Sequence, residues 1–123
     1  MNEEIYALRG ATTVDDDFPA EVDKVVTELM ERIYEENGLT DEDISFVLFS
    51  QTNDIRSRNA AAAFRIGCGA DGIPLFCVQE AEIAGGLPHC IRVLVQVNHR
   101  REKEPRYVYL RGAGSLRPDL DRH

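Results

Sequence analysis

The sequence predicts an α+β fold, a five-stranded β-sheet accompanied by one long and one short helix. Three observations carry the prediction. Five short segments rich in β-branched and aromatic residues are spread along the chain, residues 19–37 repeat their apolar positions at helical steps, and the alanine-rich stretch 59–67 has high helix propensity over a short length.

The first strand is read in "EIYALR" at 4–9, with "GATTV" following as a continuation or a turn. Val22, Val25, Val26, Leu29, Met30, Ile33 and Tyr34 then recur at three- and four-residue steps, placing one apolar face on a helix from about Pro19 to Asn37. The acidic run Asp15–Asp17 suits its positive amino end, Pro19 its first turn, and Gly38 a left-handed stop. Thr40 resembles the cap of a short turn closed by Asp43, and "ISFVLFS" opens a central strand from Ile44 to about Thr52. Asn59 is a candidate cap for the short helix and Gly67 lies near its carboxyl end. "GIPLFCVQE" (72–80), "HCIRVLVQV" (89–97) and "RYVYLRG" (106–112) supply three more strands, the last two separated by the charged connection "NHRREKEPR". The tail, from about residue 112 to 123, has turn residues and no period, so it is expected to be mobile. The 123 residues are read as one domain. Strands outnumber helices, and a sheet with a naked face should pack against other copies of itself.

Composition narrows the function classes. A formal net charge of −8 argues against a nucleic-acid or membrane-surface partner, because either would gain affinity from a basic face. No apolar run approaches the roughly 18 residues of a membrane helix, and "MNEEIYALRG" lacks the pattern of a secretory signal, which points to the cytoplasm. Lys24 and Lys103 are the two lysines against twelve arginines, and arginine is the better residue for bidentate recognition of carboxylate or phosphate. Biased genomic composition gives the same excess. Cys68, Cys77 and Cys90 are widely spaced, with no C-x-x-C and no paired histidines, so buried reduced thiols are expected and no metal site or cofactor is called for. His89, His99 and His123 show no i, i+4 spacing, and G-x-S-x-G is missing.

Several arginines stand where the pattern does not ask for a charge. Arg9 ends the first strand, Arg65 lies on the short helix, and Arg92 interrupts "HCIRVLVQV" between Ile91 and Val93. Either that strand has a wet face shared by Cys90, Arg92, Leu94 and Gln96, or Arg92 has an anionic partner. Glu80, near Glu82, ends the third strand, and Tyr107 and Tyr109 share a face of the fifth.

The strings "LRGATTV", "CVQEAEIAGGLPHCIRVLVQV" and "YVYLRGAGSLRPDL", in this order and at these spacings, resemble the bacterial monofunctional chorismate mutases of the AroH type. The resemblance runs from about Ile5 to Leu120. It implies a homotrimeric pseudo-α/β-barrel whose subunits each give a mixed five-stranded sheet with the helices on its outer side, and pockets that lie between subunits. The implied reaction is the Claisen rearrangement of chorismate to prephenate, on the route to phenylalanine and tyrosine, with no cofactor and no covalent intermediate. Arginine suits that reaction. The flexible substrate must be held in a compact conformer, and a fixed cation beside the ether oxygen stabilises charge that grows there in the transition state.

Carried over residue by residue, Arg92 matches the arginine at the ether oxygen and Glu80 the carboxylate that receives the substrate hydroxyl. Arg9 and Tyr109 match carboxylate-binding residues, Phe76 and Cys77 belong to the pocket's strand end, and Arg65 matches a basic residue near the entrance with a supporting role. Leu116 and Arg117 belong to a tail that closes over the site. The chain departs from the pattern at "NAA", where Asn59 replaces the aromatic of an aromatic-proline pair, at Ala62, which replaces a basic residue, and at Phe76, which replaces a smaller polar one. Arg56 and Arg58 are candidates to compensate, a solvated loop being the alternative. Two other readings are a trimer of similar shape acting on an imine or enamine, whose carboxy-terminal arginine and glutamate motif this chain lacks, and a non-catalytic trimer that binds an anionic metabolite.

Overall fold

The computed structural model describes residues 5–116. Its elements are β1 (Tyr6–Thr13), α1 (Pro19–Asn37), a 3-10 turn (Asp41–Asp43), β2 (Ile44–Gln51), α2 (Ala60–Cys68), β3 (Leu75–Gln79), β4 (Cys90–Val97), β5 (Val108–Tyr109) and a second 3-10 turn (Arg111–Leu116). The sheet order is β3-β2-β4-β1-β5. β4 runs antiparallel to both β1 and β2, whereas β1 with β5 and β2 with β3 are parallel, so the sheet is mixed as expected.

Both helices cover one face of this sheet. Val22, Val25, Val26, Leu29, Met30 and Ile33 of α1 and Ala60, Ala63 and Phe64 of α2 close over Leu8, Val47, Phe49, Ile91, Val93, Val95 and Val108. Phe64 meets Phe49 and Tyr34 edge-on, with ring centroids 6.0 and 6.2 Å apart. Gly10 lets α1 approach β1 closely, because a Cβ there would stand 2.9 Å from both Ile33 Cδ1 and the Val108 carbonyl oxygen.

The ends of the elements show what local pattern could and could not decide. Gly38 ends α1 at φ 64° as expected, and Asp43 Oδ2 accepts the Thr40 amide at 2.8 Å. Asp17, however, turns away from α1 and accepts the Arg56 amide at 2.8 Å and the Ser57 hydroxyl at 2.7 Å. Helix α2 runs past Gly67 and stops at Gly69, φ 67°. Gly67 faces α1 instead, where a Cβ would come within 2.5 Å of Thr27 Oγ1. "GATT" continues β1 and forms no turn. The fifth strand contracts to two residues because Asn37 takes its entry, accepting the Arg106 amide and donating to the Arg106 carbonyl, while Arg111 at φ 53° turns the chain out after it. Of the thiols expected to be buried, Cys90 is, whereas Cys68 and Cys77 are half-buried; all three are free.

Among the described residues the other face of the sheet carries no α-helix, only the 3-10 turn Arg111–Leu116 at its β1–β5 end. Phe46, Leu48 and Leu94 are partly covered there, and Phe76 and Val78 stand 68% and 42% exposed. This is the naked apolar face expected from counting strands against helices. Among the described residues no helix is long and apolar enough to cross a membrane.

Candidate active site

The register fixes which side chains share the open face. Val78, Ser50, Arg92, Ala11 and Tyr109 lie in one row across all five strands, since directly paired residues point the same way. The next rows hold Cys90 opposite Thr13 and Arg9 opposite Leu94. Of the two readings open for Arg92, both hold: its strand has an open face, and the guanidinium has a partner. Its Nε lies 3.5 Å from Glu80 Oε1, and the same oxygen accepts the Ser50 hydroxyl. Glu80 follows β3 directly, held by its amide to the Gln51 carbonyl at 2.8 Å.

A concavity of about 540 Å³ opens beside this pair, lined by Thr52, Asp54, Glu80, Leu87, Cys90 and Arg92 among others. Its wall is the loop from Ala81 to Pro88. Gly85 turns that loop at φ 82°, and Asn53 Nδ2 donates to Glu82 Oε1 at 3.2 Å. The return into β4 is tightly held. His89 sits at φ 50°, uncommon for a side chain with a Cβ, and its amide donates to both Asp54 oxygens at 3.1 and 3.2 Å while its carbonyl accepts the Val14 amide. Thr52 Oγ1 donates to Asp54 and accepts the Cys90 amide at 3.0 Å. Burial opposes ionisation of Asp54, but the Thr52 hydroxyl and the His89 amide outweigh it and bring its pKa below the ordinary value. Burial pushes the Cys90 thiol up, against the pull of the neighbouring Arg92 charge.

Arg9 and Tyr109 belong to the same face. The Arg9 guanidinium carbon stands 5.7 Å from the Tyr107 ring centroid, a cation–π geometry, and no hydrogen bond or ion pair meets the guanidinium among the described residues. Tyr109 is covered by Ala11 and Ala113, with Leu116 packed against the same cluster, so the 3-10 turn Arg111–Leu116 lies over the β1–β5 end of this face. Arg117 and the rest of the tail beyond residue 116 lie outside the described residues.

The remaining candidates form a second group. Cys77 turns its thiol to the helix side, where Sγ meets Gln51 Oε1 at 3.2 Å; burial raises its pKa although the Ala60 and Ala61 amides lower it. Asn59 caps α2, accepting the Ala61 and Ala62 amides at 2.8 and 3.3 Å. Cys77 and Asn59 line a concavity of about 580 Å³ with Arg56 and Arg58, and Asn59 and Arg65 line another of about 360 Å³. Phe76 shares the row of Arg9 but sits three strands away, about 14 Å at the usual strand spacing. One copy of the chain therefore brings Glu80 to Arg92, with Arg9 and Tyr109 on the same open face, and places Asn59 with Cys77 in one separate concavity and with Arg65 in another, while Phe76 stands on the open face at the β3 edge. Arg58 is taken by Asp23, Nε to Oδ1 at 2.9 Å, while Arg56 stays exposed, its guanidinium meeting, among the described residues, the Asn53 carbonyl through Nε. A larger concavity of about 730 Å³ lies between α1, α2 and Asp41; no arginine lines it. No group of three or more metal-ligating side chains is placed to hold an ion among the described residues.

Ser50, Gln51, Asp54 and His89 were not singled out in the sequence. Their roles rest on bonds to residues far along the chain, and no local spacing signals them.

The fold is that of a small mixed-sheet protein with arginines on the sheet face that the two helices leave open. The chain matches the family described as chorismate mutase type I over residues 5–120 and belongs to that family. It is 39% identical to the chorismate mutase AroH of Bacillus subtilis over 117 residues, covering 94% of this chain and 92% of that one. It is 37% identical to the chorismate mutase AroH of Thermus thermophilus, covering 95% and 97%. A solved chorismate mutase from Clostridium thermocellum superposes with a TM-score of 0.84 at 36% identity, covering 90% of this chain and 99% of that one.

Proposed function

We propose that this protein is a chorismate mutase that works as a cytoplasmic homotrimer and converts chorismate to prephenate in pockets between its subunits. The observation that carries the reading is the Arg92–Glu80 pair on an open sheet face, with Arg9 on the same face as a second cation that has no acidic partner among the described residues. In this mechanism Arg9 and Tyr109 take a carboxylate and Glu80 receives the ring hydroxyl, which holds chorismate in its compact conformer. Arg92 stands at the ether oxygen and stabilises the charge that develops as the C–O bond breaks and the C–C bond forms. No proton is transferred and no bond to the protein is made.

The trimer is supported by the exposed Phe76 and Val78 on the helix-free face, and intersubunit pockets by the separation, within one copy, of the concavities at Asn59, Arg65 and Cys77 from the one at Glu80 and Arg92. In an assembly, Asn59, Arg65, Phe76 and Cys77 of one copy complete the wall opposite another copy's Arg92. Free thiols suit the reducing cytoplasm. The test is to mix purified protein with chorismate and follow loss of the diene absorbance while measuring mass in solution. Accelerated loss by a species of three chains is expected. Tight binding of a bicyclic transition-state analogue without turnover would replace the enzyme with a binding trimer, and ammonia release from an imine would favour the deaminase reading.

A further inference from the structure

Ser50 stands opposite Arg92 in the β2–β4 pairing, so both side chains rise from the open face with their Cβ atoms about 5 Å apart. Its hydroxyl donates to Glu80 Oε1, the oxygen that also faces Arg92 Nε at 3.5 Å. The next residue of β2, Gln51, holds the Glu80 backbone through its carbonyl. Two consecutive residues of one strand thus fix Glu80, one by its main chain and one by its carboxylate. Other neighbours in the row offer nothing equivalent: Val78 on one side of Ser50 and Ala11 beyond Arg92 carry no polar side-chain group. We infer that Ser50 is a positioning residue for the reaction, orienting the Glu80 carboxylate so that Oε1 serves Arg92 and Oε2 remains for the substrate hydroxyl. The inference rests on the mutase reading above.

A free carboxylate at the end of a strand samples several rotamers, and only some present one oxygen to Arg92 and the other to a ligand. A hydrogen bond to a charged acceptor restricts it to those. The role lies in catalysis rather than in holding the fold, because Ser50 and Glu80 sit outside the helix-covered core.

The experiment compares Ser50→Ala, Ser50→Thr, Glu80→Asp and the double variant Ser50→Ala/Glu80→Asp, with kcat, KM, melting temperature and mass measured for each. Ser50→Ala should lower kcat/KM about tenfold, the loss falling mainly on kcat, with fold and assembly unchanged. Ser50→Thr keeps a hydroxyl on a strand-compatible side chain and should stay within about threefold of wild type. The shorter side chain introduced by Glu80→Asp cannot reach Ser50, so Ser50→Ala should add less than about twofold to Glu80→Asp. A Ser50→Ala variant equal to wild type, a threonine no better than alanine, or losses that add in the double variant would each overturn the role. A wild type with no chorismate turnover would instead overturn the functional reading and this role with it.

Discussion

Arg92 Nε and Glu80 Oε1 are 3.5 Å apart, closer than two solvated charges and longer than a hydrogen bond, and the Arg92 side chain is 45% exposed. The carboxylate holds the guanidinium in place without occupying all its donors. A ligand oxygen can therefore take the rest. Replacing Arg92 by alanine should reduce kcat/KM by on the order of 10²–10³, as for loss of one preorganised donor to a developing negative charge. The thermal midpoint should stay near wild type, since Arg92 points away from the helix-covered core; a variant as active as wild type would remove Arg92 from the reaction.

Gly10 is a packing position. A Cβ there would stand 2.9 Å from Ile33 Cδ1 and 2.9 Å from the Val108 carbonyl oxygen. The isoleucine end can shift, but the carbonyl belongs to the β1–β5 pairing. Gly10→Ala should destabilise the protein by about 1–3 kcal/mol through overpacking, read as a lower denaturation midpoint. An unchanged midpoint would mean that β5 moves away at little cost.

Gln51 ties the segment between β2 and α2 to the sheet. Its Oε1 accepts the Ala60 amide at 2.9 Å and meets Cys77 Sγ at 3.2 Å, while Nε2 donates to the Ile55 and Arg58 carbonyls at 3.2 and 3.1 Å. Gln51→Ala leaves all four groups without that partner and should cost about 1–3 kcal/mol. It should also uncover Cys77, so modification by a thiol reagent under native conditions should accelerate at Cys77 and not at the buried Cys90.

These positions show how far sequence alone reaches. The face of α1, its stop at Gly38 and the turn at Thr40 were legible because period and cap chemistry are local. The strings around Arg9, Glu80, Arg92 and Tyr109 were legible as a resemblance, and the register then puts Arg9, Arg92 and Tyr109 on one face. Gly67 does lie near the end of α2, but the cap is Gly69, and the close approach of Gly67 to Thr27 on the other helix was not legible in the sequence. Asp17 was read as a helix-end charge because its actual partners, Arg56 and Ser57, lie about forty residues on. The direction of the Cys77 thiol follows from the pairing of Phe49 with Cys77, which no single segment encodes.

Two carboxylates make the 52–57 segment sensitive to acid. The Ser57 hydroxyl and the Arg56 amide hold Asp17 below its ordinary pKa of 3.8; in Asp54 the Thr52 hydroxyl and His89 amide prevail over burial to the same effect. A carboxyl whose pKa is depressed by folding stabilises the folded state above the unfolded value and loses that contribution as pH falls through the folded one. The contribution of these two carboxylates should therefore be flat from about pH 7 to 5 and decline below about pH 4. Asp17→Asn and Asp54→Asn cannot lose a charge there, so each should be less stable than wild type at neutral pH and approach it near pH 3. Thermal unfolding across that range, with hydrogen exchange at the Arg56, Ser57 and His89 amides, measures both effects. Parallel acid curves for wild type and both variants would show that other carboxylates govern the decline.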